Sequence, residues 1–262
     1  MKKINLHSAY FKYILKFQIL CSVFIISPTI QVKAQTLVNQ IFELKMNYPD
    51  TVEWQDDVLY GSNLITCGNT WHNAAQKTNI VTTKTDQGGS IVWQTEYNGT
   101  LSGFDYGAAV TVDGSGNVFV AGATHNTSST TFDVVVIKYN SSGVQQWATL
   151  YNGTGSDMDI PSDILLLGTD IYVCAASVGS GSAQYDYLLL KLNSSGTIQW
   201  NARYNYTNLY DIPGHLATNG TQIVVSGASQ SSATNWDYTS LKYNTSGTLL
   251  NTQRNAAAGY GF

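Results

Sequence analysis

One ten-residue phrase constrains this chain more than any other feature. KYNSSGVQQW, from Lys138 to Trp147, recurs as KLNSSGTIQW from Lys191 to Trp200 and more loosely as KTDQGGSIVW from Lys84 to Trp93. A fourth copy, KYNTSGTLLN from Lys242 to Asn251, keeps the lysine and the glycine and lacks the tryptophan. In all four the glycine stands five residues after the lysine, at Gly89, Gly143, Gly196 and Gly247. The lysines at 84, 138, 191 and 242 are 54, 53 and 51 residues apart. A period near 50 residues describes an array of supersecondary units, none of which can bury its apolar face alone.

Residues 105–151 serve as the reference unit. GAAVTV (107–112), NVFVAGAT (117–124), FDVVVIKY (132–139) and VQQWATLY (144–151) are β-branched or aromatic runs separated by turn residues. They predict four strands in antiparallel succession. The glycine of NSSG suits the left-handed position of a bulged hairpin. The other units map onto this one over about 50–100, 155–207 and 208–255, with the reference unit at 101–154. In the third strand Val135 and Ile137 alternate with Val134 and Val136, so both faces are apolar. A sheet apolar on both faces must lie between neighbours. The expected fold is therefore all-β: a β-propeller of four-stranded antiparallel blades, about four of them present in a partial ring.

Charged residues make up only 11% of the 262, against about 25% in an average soluble chain. The first stretch reads as a targeting segment. Lys2, Lys3, Lys12 and Lys16 precede an apolar run from Phe17 to Ile30, and Val32-Lys33-Ala34 offers a small-residue cleavage site. The run is shorter than the roughly 20 residues of a membrane span. Residues 1–34 are read as a secretory signal peptide and 35–262 as the repeat domain, secreted or at the cell surface with no membrane insertion after signal removal. Removing five cations leaves eight against 17 acids, a net charge of −9. That balance argues against nucleic acid as a partner.

Tyr97, Tyr151 and Tyr204 precede Asp105, Asp159 and Asp211 by eight, eight and seven residues. Tyr48 precedes Asp56 by eight, so residues 37–48 read as a fourth strand without its own first three. The ending AAAGYGF echoes LSGF before Asp105. These features point to an array truncated relative to its ancestor; the alternative is a complete four-bladed ring with an extra N-terminal strand. The open faces of such an array would invite self-association.

The phrases DVVVIKYNSSGVQQWATLYNGTGSD and VDGSGNVFVAGAT resemble the bacterial SBBP repeats, named for a seven-bladed β-propeller. The resemblance covers about residues 48–254 and is clearest at 105–204. It implies a secreted or surface repeat domain, often one module of a larger protein, and brings no active site. Asn251 and Asn255 depart from the pattern, and four units fall short of seven.

Candidate chemistry is sparse. Lys84, Lys138, Lys191 and Lys242 could ring an anionic ligand, but recurrence in every unit is what a structural role predicts. Asp133, Asp186 and Asp237 precede the third strands, where an Asx turn is the simpler account than calcium. Asp113-Gly-Ser-Gly-Asn117 is the most calcium-like loop and lacks further acids. Cys67 and Cys174 share one repeat position, so they should be far apart and free. No nucleophile elbow, zinc motif or phosphate loop is present, and no cofactor or metal is expected. Trp71 and His72, outside the repeat register and in a loop, are the candidate ligand-binding residues. The function expected is a non-catalytic scaffold for a protein or glycan partner. The alternatives are a calcium-binding structural module of a larger surface protein and a secreted hydrolase or lyase with a loop-built site.

Overall fold

A computed structural model of the chain describes residues 52–72, 77–101, 103–125, 131–154, 157–179, 184–232 and 235–256. The segment read as a signal peptide, the strand expected over 37–48, loop residues 126–130 and the end from 257 to 262 lie outside the described residues.

The described residues form four antiparallel sheets of four strands, each in chain order. The first sheet holds β1 (Val52–Tyr60), β2 (Asn63–Trp71), β3 (Thr78–Thr85) and β4 (Ile91–Tyr97). The second holds β5 (Asp105–Val112), β6 (Val118–Thr124), β7 (Asp133–Tyr139) and β8 (Gln145–Tyr151). The third holds β9 (Asp159–Leu167), β10 (Asp170–Val178), β11 (Tyr185–Leu192) and β12 (Ile198–Tyr204). The fourth holds β13 (Asp211–Thr218), β14 (Gln222–Gln230), β15 (Trp236–Asn244) and β16 (Leu249–Ala256).

The sheets stack face to face in sequence order, and three apolar clusters fill the spaces between them. Ile65, Cys67 and Ile80 of the first sheet meet Val118, Val120 and Ile137 of the second. Phe119, Val134 and Val136 on the second sheet's other face meet Ile171, Leu188 and Leu190 of the third. Tyr172, Tyr187 and Leu189 then meet Ile223, Val225 and Leu241 of the fourth. The two-sided burial of β7 and β11 is why both faces of those strands are apolar. Cys67 and Cys174 take equivalent places in separate clusters, both buried as free thiols.

The recurrent phrase is the joint between sheets. In each unit the residue two beyond the lysine, Asp86, Asn140, Asn193 or Asn244, folds the turn by accepting from backbone N–H groups two and four residues on. The glycine then adopts a left-handed φ, as at Gly143 (81°) and Gly196 (83°), and the following strand is bulged opposite the lysine. The turn also receives the tryptophan of the preceding sheet. A Cβ on Gly143 would lie 2.7 Å from the Trp93 ring, on Gly196 2.7 Å from Trp147, and on Gly247 2.9 Å from Trp200. The same indoles donate from Nε1 to turn carbonyls, Trp93 to Ser141 at 3.1 Å, Trp147 to Ser194 at 3.3 Å and Trp200 to Thr245 at 3.3 Å. The glycine is thus required twice, by backbone conformation and by the ring against it.

Two sequence expectations need correction. Every first strand carries a bulge, at Gln55 in β1 and at Ala108 in β5. Counting through it makes Val52, not Asp56, the counterpart of Asp105, because Val52 pairs with Thr70 as Asp105 pairs with Thr124. The Tyr48-to-Asp56 spacing is therefore not the repeat spacing. Nor do Asp186 and Asp237 form Asx turns: each pairs with an arginine, as described below. The Asx turns lie after the third strands instead.

The joint makes a quantitative prediction. Gly168 also has a left-handed φ, of 62°, but nothing within 4 Å of a Cβ. Gly168→Ala should cost only the backbone term, roughly 1–2 kcal/mol. Gly196→Ala should cost about 2–5 kcal/mol, because overpacking against Trp147 adds roughly 1–3. In a Trp147→Ala background the Gly196→Ala penalty should shrink toward that of Gly168→Ala, leaving only the part due to Thr149 Oγ1, 2.9 Å from the same Cβ. Urea unfolding of the five variants checks this, and an undiminished Gly196→Ala penalty without the indole would refute the contact.

Candidate functional site: an aromatic mouth

The two ends of the sheet stack differ in chemistry. At the end where first and third strands begin, each first-strand aspartate is a clasp. Asp105 accepts from Thr124 Oγ1 at 2.5 Å and from the Gly99 backbone at 2.8 Å. Asp159 accepts from Ser177 and, at 2.5 Å, from Gly153 N. Asp211 accepts from Ser229 and, at 2.9 Å, from Tyr206 N. The backbone donor always lies two residues beyond the tyrosine that closes the preceding sheet. That bond ties consecutive sheets and accounts for the tyrosine-to-aspartate spacing. Burial pushes the Asp159 carboxyl up to about 6 despite these donors.

A second layer of polar groups crosses the first, third and fourth sheets at this end, and Leu150 takes its place in the second. Arg203 donates to Ser177 Oγ at 2.6 Å, to the Ser177 carbonyl at 2.6 Å and to Asp186 at 3.1 Å. Arg254 repeats this in the fourth sheet with Ser229 at 2.5 Å and Asp237 at 2.9 Å. In the first sheet Glu96 holds the arginine's place. It accepts from Asn79 Nδ2 at 2.9 Å, and His72 Nε2 lies 2.7 Å from it. His72 is thus positioned by Glu96 and, at 3.2 Å, by Thr70.

Aromatic side chains cover these clasps. Phe104, Met158 and Tyr210 directly precede the first-strand aspartates, and Phe132, Tyr185 and Trp236 directly precede the third-strand acids. Trp71, 43% exposed, sets its edge on Phe104 with centroids 6.0 Å apart. Phe104 stacks on Tyr106 at 6.2 Å, and Tyr106 meets Phe132 at 5.4 Å. The Phe132 carbonyl accepts from Asp159 N at 2.7 Å, which brings the arc to Met158. Tyr185 Oη donates to Met158 Sδ at 3.1 Å, Tyr185 meets Tyr210 at 6.1 Å, and Tyr210 meets Trp236 at 6.5 Å. The result is an arc of rings and one thioether across all four sheets. Tyr206, 48% exposed, lies beside it with the Arg254 guanidinium 3.5 Å from its ring centre. Buried His125 packs 4.2 Å from Phe132, and burial, with Lys77 nearby, holds its pKa below the usual value. Both non-glycine residues with left-handed φ among those described, Lys77 (53°) and Asn208 (55°), flank this mouth, where stored backbone strain marks a shaped surface.

The opposite end is built from turns. Lys138 reaches the Ser194 carbonyl at 3.5 Å, and Lys191 reaches Thr245 O at 3.2 Å and Asp170 at 2.7 Å. Lys84, Lys138 and Lys191 also lie over Tyr60, Phe119 and Tyr172. They brace the sheets rather than converge on a ligand. Asp113 folds its own turn, accepting from Ser115 N, Asn117 N and Asn117 Nδ2 at 2.9, 2.9 and 2.7 Å. Burial acts to raise its carboxyl, and the donors from Asn117 and Ser115 outweigh it and hold it below the ordinary range. Among the described residues no group of three or more His, Cys, Asp or Glu side chains converges to hold a metal ion.

The structure therefore brings Trp71 and His72 to the same mouth, Trp71 on the arc and His72 against Glu96, but Trp71 is the last residue of β2, paired with Thr78, and not a loop residue as the sequence suggested. Sequence reasoning missed Phe104, Phe132, Tyr185 and Tyr210 because it compared aromatics with the tryptophan register. Their signal was position: each stands immediately before a recurrent acid.

On the innermost strands Asp56 and Asp163 take equivalent places. Asp56 accepts from Val110 N at 2.8 Å and Asp163 from Leu216 N at 2.7 Å, each in the next sheet. Sheet two has Ala109 at this place and sheet four has His215, whose Nδ1 lies 3.7 Å from Asp163.

No protein-family model matches this chain, and no curated protein matches it. Solved structures do. A neuraminidase-like protein from A/bat/Guatemala/164/2009 superposes with a TM-score of 0.51 at 12% identity, over 78% of this chain and 55% of that one. The β-propeller domain of the Trilobed protease from Pyrococcus furiosus, described as having an open velcro topology, superposes with a TM-score of 0.47 at 6% identity, over 78% and 56%. The chain spans about half the length of these structures. Such identities carry the fold alone: this is a β-propeller-type repeat protein of four-stranded antiparallel blades.

Burial pushes Asp56 from 3.8 to about 6, against the pull of its bond from Val110. The folded chain then holds a proton that the unfolded chain has already released above pH 3.8. The resulting contribution favours folding below that pH and is lost as pH rises through about 6. Asp56→Asn keeps an acceptor for Val110 and cannot ionise. It should flatten the stability-versus-pH curve between 4 and 6 and exceed the parent at pH 8 by on the order of 1–2 kcal/mol. Melts across that range test this, and parallel curves would show that Asp56 titrates normally.

Proposed function

We propose that this is a secreted, non-catalytic propeller scaffold of the SBBP repeat type that binds neutral glycan chains across its aromatic mouth. The observation that carries the reading is the arc from Trp71 to Trp236, a run of exposed and half-buried rings over all four sheets at one end. A sugar ring offers an apolar C–H face that lies flat on an aromatic ring and a rim of hydroxyls that needs hydrogen bonds. Amphipathic rings with polar neighbours suit such a half-wet contact. Several polar groups at this end are engaged within the protein: Asp186 pairs with Arg203, Asp237 pairs with Arg254, and Glu96 is bonded by Asn79 and His72. With both arginines committed to acids of the protein, neither guanidinium is left to grip an anionic ligand, which favours an uncharged one.

Two further observations support the rest of the reading. The basic, then apolar, start followed by Val32-Lys33-Ala34 fits export. The clasp carboxylates at the mouth hold backbone N–H and hydroxyl donors, which suits a structural rather than an acid–base role.

Affinity electrophoresis in gels cast with neutral polysaccharides (a glucan, a xylan, a mannan) and charged ones (pectin, alginate) tests this. The protein should be retarded by at least one neutral polymer, about tenfold less after Trp71→Ala, a loss of about 1.4 kcal/mol, and equally after Lys138→Ala at the far end. Retardation by charged polymers alone, or indifference to Trp71→Ala, overturns the glycan assignment. Mouth-dependent binding of a protein ligand in place of any glycan would transfer the site to that class. Release of reducing ends from the polymer would overturn the non-catalytic reading.

A further inference from the structure

The fourth sheet differs from the others on one face only. Its inward face keeps the repeat's apolar residues, with Ile223, Val225, Leu241 and Tyr243 buried against the third sheet. Its distal face follows another rule. Where the third sheet's distal face carries Leu189, Cys174, Trp200 and Tyr204, the fourth carries Ser240, Ser226, Asn251 and Asn255. Gln253 likewise stands where Ala202 does. Leu189 and Cys174 are buried, whereas Ser240, Asn251, Gln253 and Asn255 are exposed. Tyr238 is 61% exposed where its counterpart Tyr187 is 2% exposed.

We propose that the fourth sheet is a cap: its distal face is built to meet water and does not take another sheet of this repeat. The two sides of the argument are independent. Burying the side chains of Ser240, Asn251, Gln253 and Asn255 under an apolar sheet would strand polar groups without partners, at a cost of roughly 1–3 kcal/mol each. And with Asn251 in place of tryptophan, the sheet has no indole to seat against the glycine of a following turn, the contact that fixes all three existing joints. A stacked array stays soluble when its terminal unit is polar on the outer side. The self-association expected of an open array is thereby confined to surfaces other than this one.

The test reads the face directly, on the protein in its naturally processed form. Cys67 and Cys174 are buried and give no background, so Gln253→Cys supplies a single thiol. The thiol should react with a disulfide reagent within about threefold of the rate per thiol in the urea-unfolded chain, where Cys67 and Cys174 react too, at every protein concentration, since exposure governs thiol reactivity. Protection beyond about tenfold would show that something covers the face and overturn the proposal. A second variant restores the repeat residues: Ser240→Leu, Asn251→Trp and Asn255→Tyr in the Gln253→Cys background. It should self-associate by light scattering, with its thiol protected as concentration rises. If it stays monomeric and reactive, those residues are not what closes the face, and the proposal fails.

Discussion

An indole resting on a bare glycine holds this array together. Each of the three joints repeats it, Trp93 on Gly143, Trp147 on Gly196 and Trp200 on Gly247. Apolar contact alone would let two sheets slide, since it has no preferred direction. The indole N–H removes that freedom by bonding a carbonyl of the turn it rests on. Sliding one sheet by a residue would break the bond and drive the ring into a Cβ. The stacking register is therefore set at the turn end, and the apolar clusters fill in behind it.

The opposite end is secured differently, and that difference makes a binding surface there reasonable. Aspartates hold the chain where it passes between sheets, bonding a hydroxyl on one side and a backbone N–H on the other. Arginines and Glu96 then tie third-strand polar groups to this layer. With these groups joined to one another, the rings before each acid are left to form the outer layer. A mouth rigid beneath and aromatic above follows from the same residues that fasten the sheets.

Much of this was legible in the sequence because it is local or periodic. The four strands and the bulged hairpin turn follow from spacing within one unit, and the separated cysteines from their shared position in two units. The Asp56 register was not legible. The bulge at Gln55 inserts a residue whose side chain gives no sign of it, so a count of eight from Tyr48 lands on the wrong aspartate. The arginine pairs were hidden for another reason. Arg203 and Asp186 stand 17 residues apart on adjacent strands, and the pairing recurs in only two sheets, too few to register as a repeat. The mouth was half legible: Trp71 and His72 stood out from the repeat register, but their neighbours emerge only when the chain is aligned on its acids.

The joint also governs where this chain can change length. From the polar residue opening each third strand to the end of the hairpin is 18 residues in every sheet: 79 to 97, 133 to 151, 186 to 204 and 237 to 255. The stretch from the end of one hairpin to the next first strand, by contrast, runs 8, 8 and 7 residues, from 97 to 105, 151 to 159 and 204 to 211. A hairpin clamped to its neighbour at the tip has no slack, whereas connections elsewhere can absorb a residue. Gly168, in the turn between β9 and β10 with open space around it, lies on the permissive side of that division. A foreign peptide spliced there would extend into the open space at the turn end, while the same peptide in the NSSG turn would wedge two sheets apart.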